Sequence, residues 1–257
     1  MKKVLFLLML GSFLIADSIK IGMDFKYPPF EYLDNAGNLA GFDVDLTKEL
    51  AKRVGFEAQI VKMDYDSICE AVNSKKVDIG ISAFGEDEAT QDCNRSVSYF
   101  ESELLFVKDK SRNDITKPED LAGKKVAYDA DSNILRDVVY DFGGKPVPKK
   151  SGTFISTLLL LHEGRVDSVV IDSCNAPVLK GKTDILSSAD KNRLNLINGG
   201  LSNFVVYHAQ PVDDAETFII FPKDGHLEIL KTQIDNAIIQ MRNDGTIKNL
   251  LNKYGLQ

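Results

Sequence analysis

Cysteine and histidine are scarce in this 257-residue chain, with three of each, and neither set falls into a reactive pattern. Cys69, Cys93 and Cys174 lack the CxxC spacing of a redox site. They are too few and too scattered for a disulfide scaffold, and their odd number leaves at least one thiol over. His162, His208 and His226 form no metal signature. No Walker loop, dinucleotide fingerprint, zinc-protease helix or nucleophile elbow is present, so neither a metal nor a cofactor is expected. Positive charge is also short: 31 lysines and arginines stand against 38 aspartates and glutamates. Without Lys2 and Lys3 the excess of negative charge widens to roughly nine, which argues against nucleic acid as a partner. There is only one long apolar run, at residues 4–10 and continuing at 13–15. It is shorter than the ~20 residues a permanent membrane span needs.

That run is informative for what it is. Two lysines, an apolar stretch and a small residue, Ala16, before Asp17 make a secretory signal peptide over residues 1–16, with cleavage expected after Ala16. No cysteine follows the cut, so no lipid attachment is expected there, and the mature chain is expected in the periplasm. In such an oxidising compartment a Cys69–Cys93 bridge is open, with three free thiols as the alternative.

The rest of the chain reads as globular material in an α/β order. Residues 18–23 form a strand candidate, and Tyr27-Pro28-Pro29-Phe30 ends it because proline fixes φ and removes ladder donors. Phe42-Asp43-Val44-Asp45-Leu46 opens a helix that Gly55 stops. A strand over 56–61, a helix over 66–74 and the apolar strand Val77-Asp78-Ile79-Gly80-Ile81-Ser82 complete a strand–helix rhythm typical of a parallel sheet covered on both faces. Residues 104–107 form another strand, and the polar stretch 108–118 looks like a passage between bodies. The rhythm then restarts, with a strand at 126–128, helices over 133–140 and 154–162, and a strand at 166–171. A late strand at 217–221 precedes two closing helices, 227–241 and 247–254, which are free to pack back on the first body.

At this level of detail the chain resembles the extracytoplasmic solute-binding proteins, family 3, of polar amino-acid ABC transporters. The likeness rests on GMDFKYPPFEY, GNLAGFDVDLTKELAKRVG, KKVDIGIS, SYFESELLFVKDK, PEDLAGKKVA, EGRVDSVVID and MRNDGTIKNLLNKYG, met in that order along nearly all the mature chain. It implies a periplasmic-binding-protein-like fold of two α/β lobes, the first from 18–103 and 217–257 and the second from 108–212. Hinges are expected near 104–107 and 213–216. It implies a non-enzymatic, monomeric receptor that captures an amino acid or related small polar solute between its lobes and delivers it to an inner-membrane ABC permease.

The resemblance also nominates site residues. Asp172, at the carboxyl end of an apolar strand, matches the position that grips a substrate ammonium, and open α/β sheets place ligands at that edge. Tyr27, Phe30 and Tyr65 match aromatic positions that line the pocket. Ser132 and Asn133 begin a helix where a ligand oxygen could meet a hydroxyl and free N–H groups, although an ordinary helix cap explains Ser132 equally. Asp24 and Asp43 fall on family positions, with Asp43 also a candidate cap of the first helix. The loop after the 77–82 strand contributes Ser82, Ala83, Phe84, Gly85 and Thr90, and Asp129 and Asp131 come from the second lobe.

One departure stands out. The family carries a hydroxyl residue where this chain has Gly85, and a carboxylate-clamping arginine where it has Thr90. Threonine supplies neither the charge nor the fork of donors. Either Arg95 substitutes, or the ligand lacks the usual free carboxylate, as a cationic amine would. A cyclohexadienyl-dehydratase-like enzyme on the same fold is a third reading, with Glu86, Asp87 and Glu88 as the available acids.

Overall fold

The computed structural model describes residues 18–86, 88–130, 132–149 and 154–256; the stretch expected to be a signal peptide, Asp87 and Asp131 lie outside them. The first lobe is built on the strand Ser18–Met23, flanked in parallel by Glu57–Lys62 and Ile79–Phe84. The long strand Phe204–Phe221 runs antiparallel to Ile79–Phe84. The second lobe repeats the idea, with Lys125–Asp129 parallel to both Lys145–Lys149 and Ser168–Asp172. Ser168–Asp172 then pairs antiparallel with Phe100–Asp109.

Glycine sets how closely these layers approach. A Cβ at Gly80 would stand 2.6 Å from Ile220 Cγ1 and 2.8 Å from Ile68 Cγ2, so helix Ile68–Asn73 and the neighbouring strand both rest on bare backbone. At Gly41 the left-handed φ of 131° and a would-be Cβ only 2.0 Å from the Phe30 carbonyl oxygen leave no room for a side chain. Gly41 is the N-cap of helix Phe42–Val54, and Gly55, at φ 89°, ends it as the spacing predicts.

Each lobe has its own apolar core. In the first, Ile21, Ile79, Ile81 and Phe221 meet Phe42, Leu46 and Leu50 of the first helix. Ile234, Ile238 and Met241 of helix Glu228–Asn243 and Ile247 of Thr246–Tyr254 join them, so the closing helices do pack back on the first body. In the second, Val107, Val169 and Ile171 pack on Ile155 and Leu158 of helix Phe154–His162 on one sheet face. Phe106, Val126 and Val170 pack on Leu135 and Val139 of helix Asn133–Asp141 on the other.

Leu104, Leu105, Phe106 and Val107, where a hinge is expected, are buried in the second lobe's cores. Just before them, Glu101 pairs with Glu216 and Glu103 with Pro211. The residues between Pro211 and Glu216 bulge out of register there, close to the return crossing expected at 213–216. The stretch 108–118 is not a free passage. Lys108 donates to the carbonyls of Arg112 and Ile115, Arg112 bonds Asp167 at 2.8 Å, and Ile115 is fully buried.

Candidate functional site: a cleft between the two lobes

A cavity of about 1010 Å³ opens between the lobes. The first lobe supplies Phe25, Lys26, Tyr27 and Pro28 from the loop after its central strand, and 32–35 from the next hairpin. The second lobe supplies Asp129 and Ser132 after one strand, and Asp172, Cys174 and Asn175 after another. It also supplies Asp184, Ser187, Asp190 and Arg193 around a short helix, Ser188–Leu194. Of the residues nominated from sequence, Tyr27, Asp129, Ser132 and Asp172 line this cavity.

Asp172 ends its strand as expected and then turns the chain. Its Oδ1 accepts from the Cys174 N–H at 2.8 Å and from the Ser102 hydroxyl at 3.1 Å. Ser173 Oγ accepts from the Glu103 N–H at 3.0 Å, so this strand end is fastened to the segment that crosses between lobes. Among the described residues Asp172 has no ion-pair partner. The two cleft cations are already paired: Lys26 lies 2.9 Å from Asp64 and 3.3 Å from Asp24, and Arg193 lies 2.8 Å from Asp190. Asp34, Asp129 and Asp184 add carboxyl groups to the lining. The lining is therefore rich in acid, although of the acids nominated from sequence only Asp129 and Asp172 contribute to it.

Tyr27 leans across the opening. Its ring stacks at 5.7 Å and 9° on Phe30, and its hydroxyl lies 3.4 Å from Cys174 Sγ. The Cys174 sulfur, burial and the Asp172 charge push the Tyr27 hydroxyl well above its ordinary range. Burial and Asp172 do the same to the Cys174 thiol, so both groups are protonated at neutral pH. Ser132 is a helix cap, its Oγ accepting from the Leu135 N–H, and it also lines the cleft.

The other nominated residues do not line the cavity. Phe30 is 2% exposed and forms the floor beneath Tyr27, edge-on to Phe42 and Phe100. Tyr65, partly buried, packs at 4.9 Å on Phe84, a buried member of a core cluster. Asn133 is exposed on the first turn of its helix. Asp24 donates its N–H to Ser82 Oγ and turns its side chain to Lys26. Asp43 caps nothing; it is buried, with Oδ2 accepting from the Ala83 N–H at 2.7 Å and the Tyr99 hydroxyl at 3.1 Å. Ser82 is buried and donates to Glu31, and Ala83 holds a left-handed φ of 46°.

The loop with the missing arginine closes on itself. Thr90 is buried and donates to the Gly85 carbonyl at 2.9 Å, so it shapes the loop from within. Arg95 bonds Glu86 at 3.0 Å and lies over the Phe218 ring, away from the cleft lining. Reading the sequence alone missed Lys26, Asp190 and Arg193 as cleft residues, while Cys174, which its place two residues past Asp172 leaves open between cleft border and buried core, is both buried and in the lining. A signal for Asp190 and Arg193 exists: Ser187-Ser188-Ala189-Asp190 is a helix-start pattern, and Ser187 Oγ accepts from the Asp190 N–H. The Cys69–Cys93 bridge is formed, with Cα atoms 6.0 Å apart, and Cys174 is a free buried thiol.

Comparison with known proteins agrees with this architecture. The chain is 26% identical over 237 residues to the L-cystine-binding protein TcyA of Bacillus subtilis, covering 92% of this chain and 80% of that protein. It is 27% identical to the arginine-binding extracellular protein ArtP of the same organism, covering 91% and 84%. Among solved structures, an ancestral arginine-binding protein bound to arginine superposes with a TM-score of 0.62 at 28% identity, covering 93% and 99%. The unliganded open L-cystine receptor of Neisseria gonorrhoeae, 23% identical with coverage of 93% and 92%, shares the fold with a TM-score of 0.72. The matching family is non-catalytic, which sets the dehydratase reading aside. Residues 19–257 match one family throughout: the chain belongs to the bacterial extracellular solute-binding proteins, family 3, and is the extracellular or periplasmic solute-binding component of an amino-acid ABC transporter, pairing with a membrane permease.

Proposed function

We propose that the mature protein, cut after Ala16 and working as a monomer, closes its two lobes on one amino acid or small amine that carries more positive than negative charge. The observation that carries this reading is Asp172: a cleft carboxylate without a cation partner among the described residues, beside two cations already committed to other acids. An ammonium entering there pairs a half-buried charge, and pairing is what makes such burial tolerable. The Tyr27 ring offers a flat apolar wall for the rest of the solute. Asp129 and Ser132 approach from the second lobe, and Asp24 acts behind Lys26. Closure bends the crossings at 101–103 and 212–215, and the Ser102–Asp172 and Glu103–Ser173 bonds link solute capture to the first of them.

The clamp loop favours a second reading within the same site. With Thr90 turned inward and Arg95 held by Glu86, no cation of that loop reaches a solute carboxylate, which suits an amine without one. A thermal-shift panel separates the two: L-arginine, L-lysine, L-ornithine, L-histidine, L-cystine, L-glutamine, L-glutamate, putrescine and spermidine. Stabilisation by a cationic amino acid supports the first reading, by a polyamine alone the second. Stereospecific stabilisation by L-glutamate or L-glutamine defeats both. Small-angle scattering with the active solute then reads closure as a smaller, still monomeric particle.

A further inference from the structure

Two buried carboxyl groups sit behind the cleft. Glu31 and Asp43 are both fully buried. Glu31 Oε1 accepts from the Ser82 hydroxyl at 2.6 Å, and Ser82 Oγ in turn accepts from the Asp24 N–H at 3.0 Å. Asp43 Oδ2 accepts from the Ala83 N–H and the Tyr99 hydroxyl. That leaves Glu31 Oε2 and Asp43 Oδ1, each buried and each without a donor. Thr47 Oγ1, one turn further along the same helix, is likewise without a partner and satisfies neither. The Glu31 and Asp43 side chains lie within hydrogen-bonding reach of each other, and two carboxylates side by side out of water, with these oxygens unmet, would be far too costly. One proton between them supplies the missing donor and removes the repulsion together.

We propose that Glu31 and Asp43 share a single proton between Glu31 Oε2 and Asp43 Oδ1, and that this acid–carboxylate pair positions the cleft-lining loop 24–31 together with the turn at Ala83. The circuit is closed: Ser82 joins both ends of the loop, Asp24 and Glu31, while Asp43 holds Ala83 in its left-handed conformation. Phe25, Lys26, Tyr27 and Pro28 hang from those two ends, so the proton fixes where they stand. The importance for solute capture rests on the function proposed above; the proton itself does not.

The surroundings agree. Burial, then the Asp43 charge, raises the Glu31 carboxyl well above the usual range, with Asp24 adding to it and the Ser82 bond opposing. Burial also raises Asp43, against the bonds from Ala83 and Tyr99. The groups facing the pair are Asp24 and Tyr27 from the loop and Tyr99 from the approach to the crossing strand; Lys26 serves Asp24 and Asp64. Folding therefore holds a proton that the unfolded chain releases above the ordinary glutamate range, and stability falls as pH rises toward the folded value.

The test uses Glu31→Gln, Asp43→Asn and the double variant of the solute-free protein. Either single amide provides the one donor the pair needs; two amides set donor against donor. The readout is hydrogen exchange at the Asp24 and Ala83 amides, with the Val169 amide in the other lobe as control. Both singles are expected to fold, and the double to exchange about tenfold or more faster than the faster single, with Val169 unchanged. Failure of the double to fold while both singles fold carries the same meaning. A double that stays below that tenfold, a folded double whose Val169 amide speeds up equally, or a single that does not fold overturns the proposal. Thermal midpoints from about pH 5 to 8 give a second reading: the wild type declines more steeply than Glu31→Gln, and parallel profiles overturn the shared proton. No solute is involved, so an error about the solute leaves this outcome untouched.

Discussion

The Tyr27 hydroxyl and the Cys174 sulfur, 3.4 Å apart, join a loop of one lobe to the strand end of the other, two residues beyond Asp172. Cys174 also packs with Phe30 and Phe100 in the first lobe's core, although its chain belongs to the second lobe's sheet. This contact lies in the lining of the cleft between the lobes.

With Cys69 and Cys93 bridged, one thiol per chain is expected to react after unfolding in denaturant without reductant. In the native protein burial and Asp172 keep the Cys174 thiol protonated and slow to alkylate. Tyr27→Phe keeps the stack on Phe30 but removes the hydroxyl, and native labelling is expected to speed up several-fold with little change in stability. Mass spectrometry after iodoacetamide treatment reads both; an unchanged rate would show that the hydroxyl does not guard the thiol.

Asp172→Ala is expected to weaken binding of the active solute by about 2–5 kcal/mol, since it leaves a buried cation unpaired. Asp172→Asn keeps an oxygen for the Cys174 N–H and Ser102 while removing the charge. Isothermal titration that finds the asparagine variant as tight as the wild type would assign Asp172 a turn-forming role only.

Reduction of the Cys69–Cys93 bridge, or its replacement by two serines, is expected to cost about 2–4 kcal/mol of unfolding free energy, because the bridge closes a loop with a sequence separation of 24. The bridge ties helix Ile68–Asn73 to the segment before strand Asn94–Arg95, near the closed loop of Gly85 and Thr90. Urea denaturation with and without reductant measures the difference.

Acid sensitivity should report on Asp45. Burial pushes its carboxyl up, but bonds from Lys253, Tyr254 and Lys48 outweigh it and hold it down at about 2. The stabilisation is present above the ordinary aspartate range and is lost as pH falls through that value. After allowance for exposure it amounts to about 1 kcal/mol. Asp45→Asn is expected to lower the melting temperature at pH 7 slightly and to flatten its fall below about pH 4.

Much of the fold was legible because its signals are local. Apolar runs, the Gly55 stop and the spacing of Ile234, Ile238 and Met241 each depend on neighbours in the chain, and all recur in the structure. Other elements hid for physical reasons. Lys145–Lys149 carries two prolines, yet it is a strand because it lies at the sheet's edge. Phe204–Phe221 was legible only from Thr217 onward, since its first part alternates poorly and its partner, Phe100–Asp109, is about a hundred residues distant.

The site divides in the same way. Sequence alone determined the family's order of motifs and the position of Asp172 at a strand's carboxyl end, because motif order and strand polarity are properties of the chain. Only tertiary structure decided which way side chains turn. It sent Phe30, Asp43 and Thr90 inward, brought Lys26, Cys174 and Arg193 to the cleft, and faced Glu31 with Asp43. Those outcomes depend on contacts between distant segments, where burial, pairing and the bare backbone at Gly41 and Gly80 select one direction over another.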